Sequence, residues 1–224
     1  MSMRAVATLA VGALIFVSQE ARAQMIKLGE VLVITPSDGN PSPGAKDQLV
    51  QADRGNRKGQ FYRVWTGPAN AGVAPGTDRS TEYRLLSPDK AGTLPDIDVL
   101  GIHFIKVLPE QRDNFERFVR DTLHPAVANL RPDLRLLYYK AVRGAEAPGY
   151  ILLIALTKQS RDKYWPGGSD SDELRSAFKP VQGLTAELQT YLVEGSYLAD
   201  PKFAAAVYES RDWSDFVLVS PNAR

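Results

Sequence analysis

Two histidines, His103 and His124, and the late Asp215 are the residues of this 224-residue chain best suited to moving a proton. His103 sits between Gly101 and Ile105 in an otherwise apolar run. An imidazole in such a place either meets one hydrogen-bond partner in a core, or lines a cavity and exchanges protons near neutral pH. In the second case Gly101 leaves room for a ligand, and Asp215 is the first candidate for a carboxylate partner of the ring. The charged segment 209–215 has a simpler reading as an edge whose charges discourage sheet extension. His124, just before Pro125, suits a helix break where it meets local carbonyls. Tyr138, Tyr139, Tyr150 and Trp165 are candidate walls of a binding site, although aromatics in strands are commonly core. Trp165 precedes Pro166-Gly167-Gly168, a loop that could close as a lid or pack down as a plain connection.

Other chemistries lack their residues. The chain has no cysteine, which excludes thiol catalysis, disulfide exchange, iron–sulfur clusters and thiolate zinc. Two histidines 21 positions apart do not make a histidine-rich metal site. Glycine-rich nucleotide-binding loops, the zincin helix motif and the G-x-S-x-G elbow are all missing. Asp170, Asp172 and Glu173 lack the order of a calcium loop and fit helix capping instead.

The first 23 residues read as a secretory signal. Arg4 gives a positive start, an apolar core runs from Ala5 to Val17, and Ala21-Arg22-Ala23 is a small-x-small cleavage site. The apolar core is shorter than the roughly 20 residues that span a bilayer, so cleavage is expected rather than anchoring. The expected location is periplasmic or secreted. Removal takes away Arg4, Arg22 and Glu20, leaving 25 basic and 25 acidic side chains. A balanced charge gives no footprint for nucleic acid and no pull toward an anionic membrane.

The elements that must position the candidates lie mainly beyond residue 97. From Val99 to Leu108 both alternating faces are apolar, as in a strand covered on each side. Pro109 and Glu110 open a helix whose stripe includes Phe115, Phe118, Leu123 and Val127, and Pro125 should kink or break it near His124. Residues 134–142 and 150–157 read as two strands joined by a short connection with two glycines and a proline. A second helical stripe runs from Leu174 to Leu192, bent by Pro180 and Gly183, and a closing strand follows within 207–219. Residues 24–97 read as a strand-and-loop extension, with β-prone runs at 30–35 and 60–66. Its one helical candidate, residues 45–54, is short, and Gly/Pro loops interrupt the rest, so an internal second copy is not expected.

Strand, helix, strand, strand, helix, strand is the ferredoxin-like order of an α+β domain with its helices on one face. With Val99 to Val107 leading into Phe115-Glu116-Arg117-Phe118-Val119 and then His124-Pro125-Ala126-Val127, the chain resembles the dimeric α+β barrel superfamily. That superfamily includes antibiotic-biosynthesis monooxygenase-like, EthD-like and NIPSNAP-like proteins. The resemblance covers about residues 98–219, leaving 220–224 as a tail. It implies a homodimer whose two sheets close a barrel, and a small apolar or aromatic ligand. It also implies chemistry that runs without a cofactor, with His103 as base. No cofactor is expected; some relatives bind haem through a helix histidine, which would here be His124. The alternative is a non-catalytic periplasmic homodimer with a barrel filled by side chains.

Overall fold

The structure is a computed structural model that describes residues 26, 28–40, 47–68, 79–87, 97–128, 135–164, 176, 179–194, 196 and 212–219. Among them are eight strands: β1 (Val31–Ser37), β2 (Gln48–Gly55), β3 (Phe61–Gly67), β4 (Thr81–Leu85), β5 (Val99–Ile105), β6 (Arg135–Gly144), β7 (Tyr150–Leu156) and β8 (Trp213–Leu218). They close a barrel in the order β1-β3-β2-β8-β5-β7-β6-β4, with every pair antiparallel.

Each half of the chain supplies one ferredoxin-like sheet. In β5–β8 the fourth strand lies beside the first, then come the third and the second; β1–β4 follow the same order. The two half-sheets join twice and in the same way, β2 to β8 and β6 to β4. The expected strand-and-loop character of residues 24–97 therefore holds, but these strands are the second half of the barrel, and closure needs no second chain. The expectation against a second copy is corrected here. Residues 48–54 of the helical candidate form β2, because Val50 and Ala52 alternate into the interior at strand period.

Local detail repeats as well. Ala52-Asp53-Arg54-Gly55 ends β2, and Ala141-Val142-Arg143-Gly144 ends β6. In both, the pairing register shifts by one residue just ahead of the arginine. Both glycines have positive φ, 89° and 106°, and a Cβ on either would lie 2.2 Å or 2.0 Å from a backbone carbonyl of the neighbouring strand end. Two residues past each glycine, the amides of Arg57 and Glu146 donate to Ser214 Oγ at 2.9 Å and to Thr81 Oγ1 at 3.2 Å. Arg57 and Glu146 thus hold equivalent places in the two turns.

Alternation sorts the side chains into two cores. Leu32, Leu100, Ile102, Leu137, Leu153 and Phe216 point into the barrel and fill its middle. Val99, Ile105, Tyr138, Leu152, Ile154 and Leu156 point outward, under the helices. The first helix runs as α1 (Arg112–Phe118), a wide turn of π type (Val119–Leu123) and α2 (His124–Ala128). The amide of His124 bonds Val119 O, five residues back, which opens the helix just ahead of Pro125. The expected interruption is therefore a widening, with the helix continuing as α2. Further helices are α3 (Lys158–Tyr164) and α4 (Gln182–Thr190). Phe115, Phe118 and Val127 from the first helix, and Leu188 from α4, pack on the outer face of β5–β7. No helix among the described residues is long and apolar enough to cross a membrane.

Candidate functional site

Among the described residues, one end of the barrel is open. The β2–β3 and β6–β7 turns flank it, and a pocket of about 210 Å³ leads inward. Ile34, Pro36, Tyr62, Thr81, Tyr83 and Phe104 form its wall, with Arg57, Arg79, Ala145 and Glu146 toward the rim. The wall follows from strand period: Ile34 and Pro36 on β1, Thr81 and Tyr83 on β4, and Phe104 on β5 are the inward residues nearest this end. Leu32, Leu100 and Phe216 close off the barrel below it. Tyr62 meets Phe216 edge to face, with ring centroids 5.3 Å apart, so the base of the pocket is aromatic and packed.

Arg57 is the organising cation. Its guanidinium lies over the Phe104 ring, Cζ to centroid 3.5 Å, an arrangement in which the ring's negative face attracts the charge. Nε and Nη2 donate to the two carboxylate oxygens of Asp212 at 3.3 and 3.0 Å, which fixes the plane of the group. Nη1 reaches Tyr62 Oη at 3.5 Å, and Tyr62 in turn donates to Gln60 Oε1 at 2.6 Å. Glu146 Oε1 lies 4.0 Å from Arg57 Nη2. Burial pushes the Tyr83 phenol well above its ordinary value, with the Glu146 charge adding to the effect, so its hydroxyl stays protonated at any physiological pH. Arg79 lines the same pocket from an exposed position.

The residues singled out in the sequence lie elsewhere. His103 shares its strand face with Val99 and Ile105, so its imidazole points outward beneath the helical layer, while Phe104 beside it faces the pocket. The expectation that the ring faces the barrel interior is corrected. The imidazole is 2% exposed and stacks near Trp213, centroids 6.3 Å apart. Burial lowers its pKa to about 4, so it is neutral at pH 7. Asp215 is on the same outer face, opposite Gly101 as Trp213 is opposite His103. A Cβ on Gly101 would lie 3.3 Å from Asp215 Oδ1, a tight contact that the glycine avoids.

Asp215 is 1% exposed, and its ion partner is Arg161 of α3, Nη1 to Oδ2 3.7 Å. The same Nη1 reaches both oxygens of Asp53 at 3.0 and 2.9 Å, and Arg54 binds Asp162 at 2.8 Å. The register shift in β2 is what brings both Asp53 and Arg54 to this patch. His103, Gly101 and Asp215 thus share one outer face, where Arg161 of α3 pairs with Asp215, and none of them lines the pocket.

Tyr138 and Tyr150 also face the outer layer, and Tyr150 donates to Glu116 Oε1 at 2.6 Å. Tyr139 alone of the three points into the barrel. Its hydroxyl donates to Gly29 O at 2.9 Å, and its strand partner is Leu85 at the far end of β4 from Thr81. Trp165 lies outside the described residues. His124 is buried at the start of α2 and does not line the pocket. Sequence reasoning missed Arg57, Arg79 and Glu146. The signal available was the repeated A-x-R-G, which marks two like turns two residues before Arg57 and Glu146.

Antiparallel strand order, two equivalent junctions and external helices define the architecture. The fold is an α+β barrel of two ferredoxin-like halves. No family model matches the sequence, and no curated protein matches it. Three solved structures align with the chain at low identity. An anthrone oxidase-like protein is 9% identical, with 85% of this chain and 90% of that one covered and a TM-score of 0.47. An uncharacterized ferredoxin-fold protein related to antibiotic biosynthesis monooxygenases, from Listeria monocytogenes 4b F2365, is 16% identical, with 90% and 99% covered and a TM-score of 0.40. A monooxygenase-like protein from Listeria innocua is 13% identical, with 86% and 95% covered and a TM-score of 0.38.

Proposed function

We propose that this protein binds a small apolar or aromatic molecule in the barrel mouth, and does so outside the cytoplasm after removal of residues 1–23. The observation that carries the binding reading is the pocket itself: three aromatic side chains, Tyr62, Tyr83 and Phe104, converge on a space of about 210 Å³ whose rim holds charged groups. Apolar walls with a few polar groups are the usual make-up of a ligand site, and this one is small for its class, where about 300–1,000 Å³ is common. A single ring with one substituent suits it. The packed middle of the barrel supports a guest held at the mouth over one that threads the interior.

Binding is favoured over proton transfer by His103, because that imidazole and the pocket lie on opposite faces of β5. An oxygenase-type reaction at this site would have to draw its base from a rim carboxylate such as Glu146. The test is a fragment screen by ligand-observed NMR on the wild type and on Ala145→Trp. Ala145 is exposed at the rim, so an indole there fills the opening at little cost to the fold. Single-ring aromatics should bind the wild type and be lost from the variant. Fragments that bind both proteins equally would place the site elsewhere and overturn the reading.

A further inference from the structure

We infer that the barrel mouth selects a singly anionic ring compound, with the ring on the aromatic wall and the anion between Arg57 and Arg79. This rests on the pocket being a ligand site, and it adds the charge class of the ligand.

The pocket lining carries two guanidinium groups and one carboxylate, against an otherwise neutral wall. The three charges are not alike in what they have left to offer. Glu146 faces Arg57 at 4.0 Å and is half exposed, so its charge is already opposed from inside the protein. Arg57 is pinned flat on Phe104 by Asp212 through Nε and Nη2, which leaves Nη1, with its long 3.5 Å contact to Tyr62, turned toward the tyrosine side of the site. Arg79 has no ion pair or hydrogen bond with any described residue. A planar carboxylate matches the fork of a guanidinium, and partial enclosure beside aromatic rings strengthens the pairing relative to bulk water. A cationic guest would meet Glu146 but would also sit beside two guanidinium groups. A neutral guest would leave Arg79 without a partner.

The pocket is small enough that one ring touches both the aromatic wall and the rim. The probes are therefore benzoate, benzamide and benzylamine, which share a ring and differ in charge. Their dissociation constants for the full chain are measured by calorimetry or NMR titration at low and high salt, with wild type and Arg79→Gln. Arg79 is exposed, so its replacement leaves folding intact. Benzoate should bind at least tenfold more tightly than benzamide, with benzylamine weakest. The preference should shrink at high salt, and Arg79→Gln should bring the benzoate-to-benzamide ratio close to one. Equal binding of benzoate and benzamide by the wild type, or a ratio unchanged in Arg79→Gln, overturns the charge selection and leaves the pocket as a ligand site. Failure of all three probes to bind overturns the pocket reading along with it.

Discussion

Asp215→Asn should remove one component of the pH dependence of stability. Its carboxyl is held at about 6, above the ordinary 3.8, chiefly because burial penalises the anion; Arg161 and Arg54 oppose the rise while Asp53 and Asp162 add to it. That elevation corresponds to about 3 kcal/mol for the fully ionised group. The folded protein holds this proton more tightly than the unfolded chain does. The stabilisation is therefore complete below pH 3.8 and is lost as pH rises through 6. Between pH 7.5 and pH 5 the folded state gains roughly 1–2 kcal/mol from this one group. His103 acts in the opposite sense: its pKa falls from 6.5 to about 4 on burial, so acidification through the same window favours the unfolded chain by about 2 kcal/mol. The two contributions largely cancel in the wild type, and the difference between the two proteins isolates the aspartate. Urea denaturation of both at pH 7.5, 6.5, 5.5 and 5, at one ionic strength, gives that difference. Variant-minus-wild-type stability should fall by roughly 1–2 kcal/mol on going from pH 7.5 to pH 5. A difference that stays constant, or rises on acidification, would refute a buried, proton-retaining Asp215.

Arg161→Met should cost about 3 kcal/mol at pH 7, because the buried carboxylate of Asp215 would then lie beside the partly exposed Asp53 without the cation they share. The cost should be smaller at pH 5, where Asp215 takes up a proton; an equal cost at both pH values would argue against the pair. Gly55→Ala and Gly144→Ala should each destabilise by well over the roughly 1–2 kcal/mol expected of positive φ alone, since each Cβ would meet a backbone carbonyl. Gly59→Ala, with φ of 87° but nothing within 4 Å of the added carbon, should cost only that conformational amount. Thermal unfolding of the three variants side by side checks the ranking.

The β5–β8 half of the fold was legible because its signals are local and strong. Val99 to Ile105 is apolar on both faces, and the structure buries both, one against the barrel interior and one against the helices. The same property hid the direction of His103. Period two tells which residues share a face, but two equally apolar faces give no clue to which is the inside. Strands β2 and β4 escaped because they are polar outside: Asp53 and Arg54, or Glu82 and Arg84, interrupt the apolar pattern for reasons of outer-face ion pairing that become visible only once the sheet is closed. The pocket was beyond sequence reasoning for a different reason. Arg57, Arg79, Phe104 and Glu146 come from four separate segments, and only barrel closure brings them to one opening.

Two identical chains closing such a ring across an exact dyad must confront each residue at corresponding turns with its own duplicate, arginine with arginine or glutamate with glutamate. Here one polypeptide makes both turns, so the two places need not carry the same residue, and a base stands across from an acid, 4.0 Å apart. The entrance consequently has a left and a right. A lopsided visitor can be received in a single orientation, a distinction that a doorway with mirrored jambs could not draw.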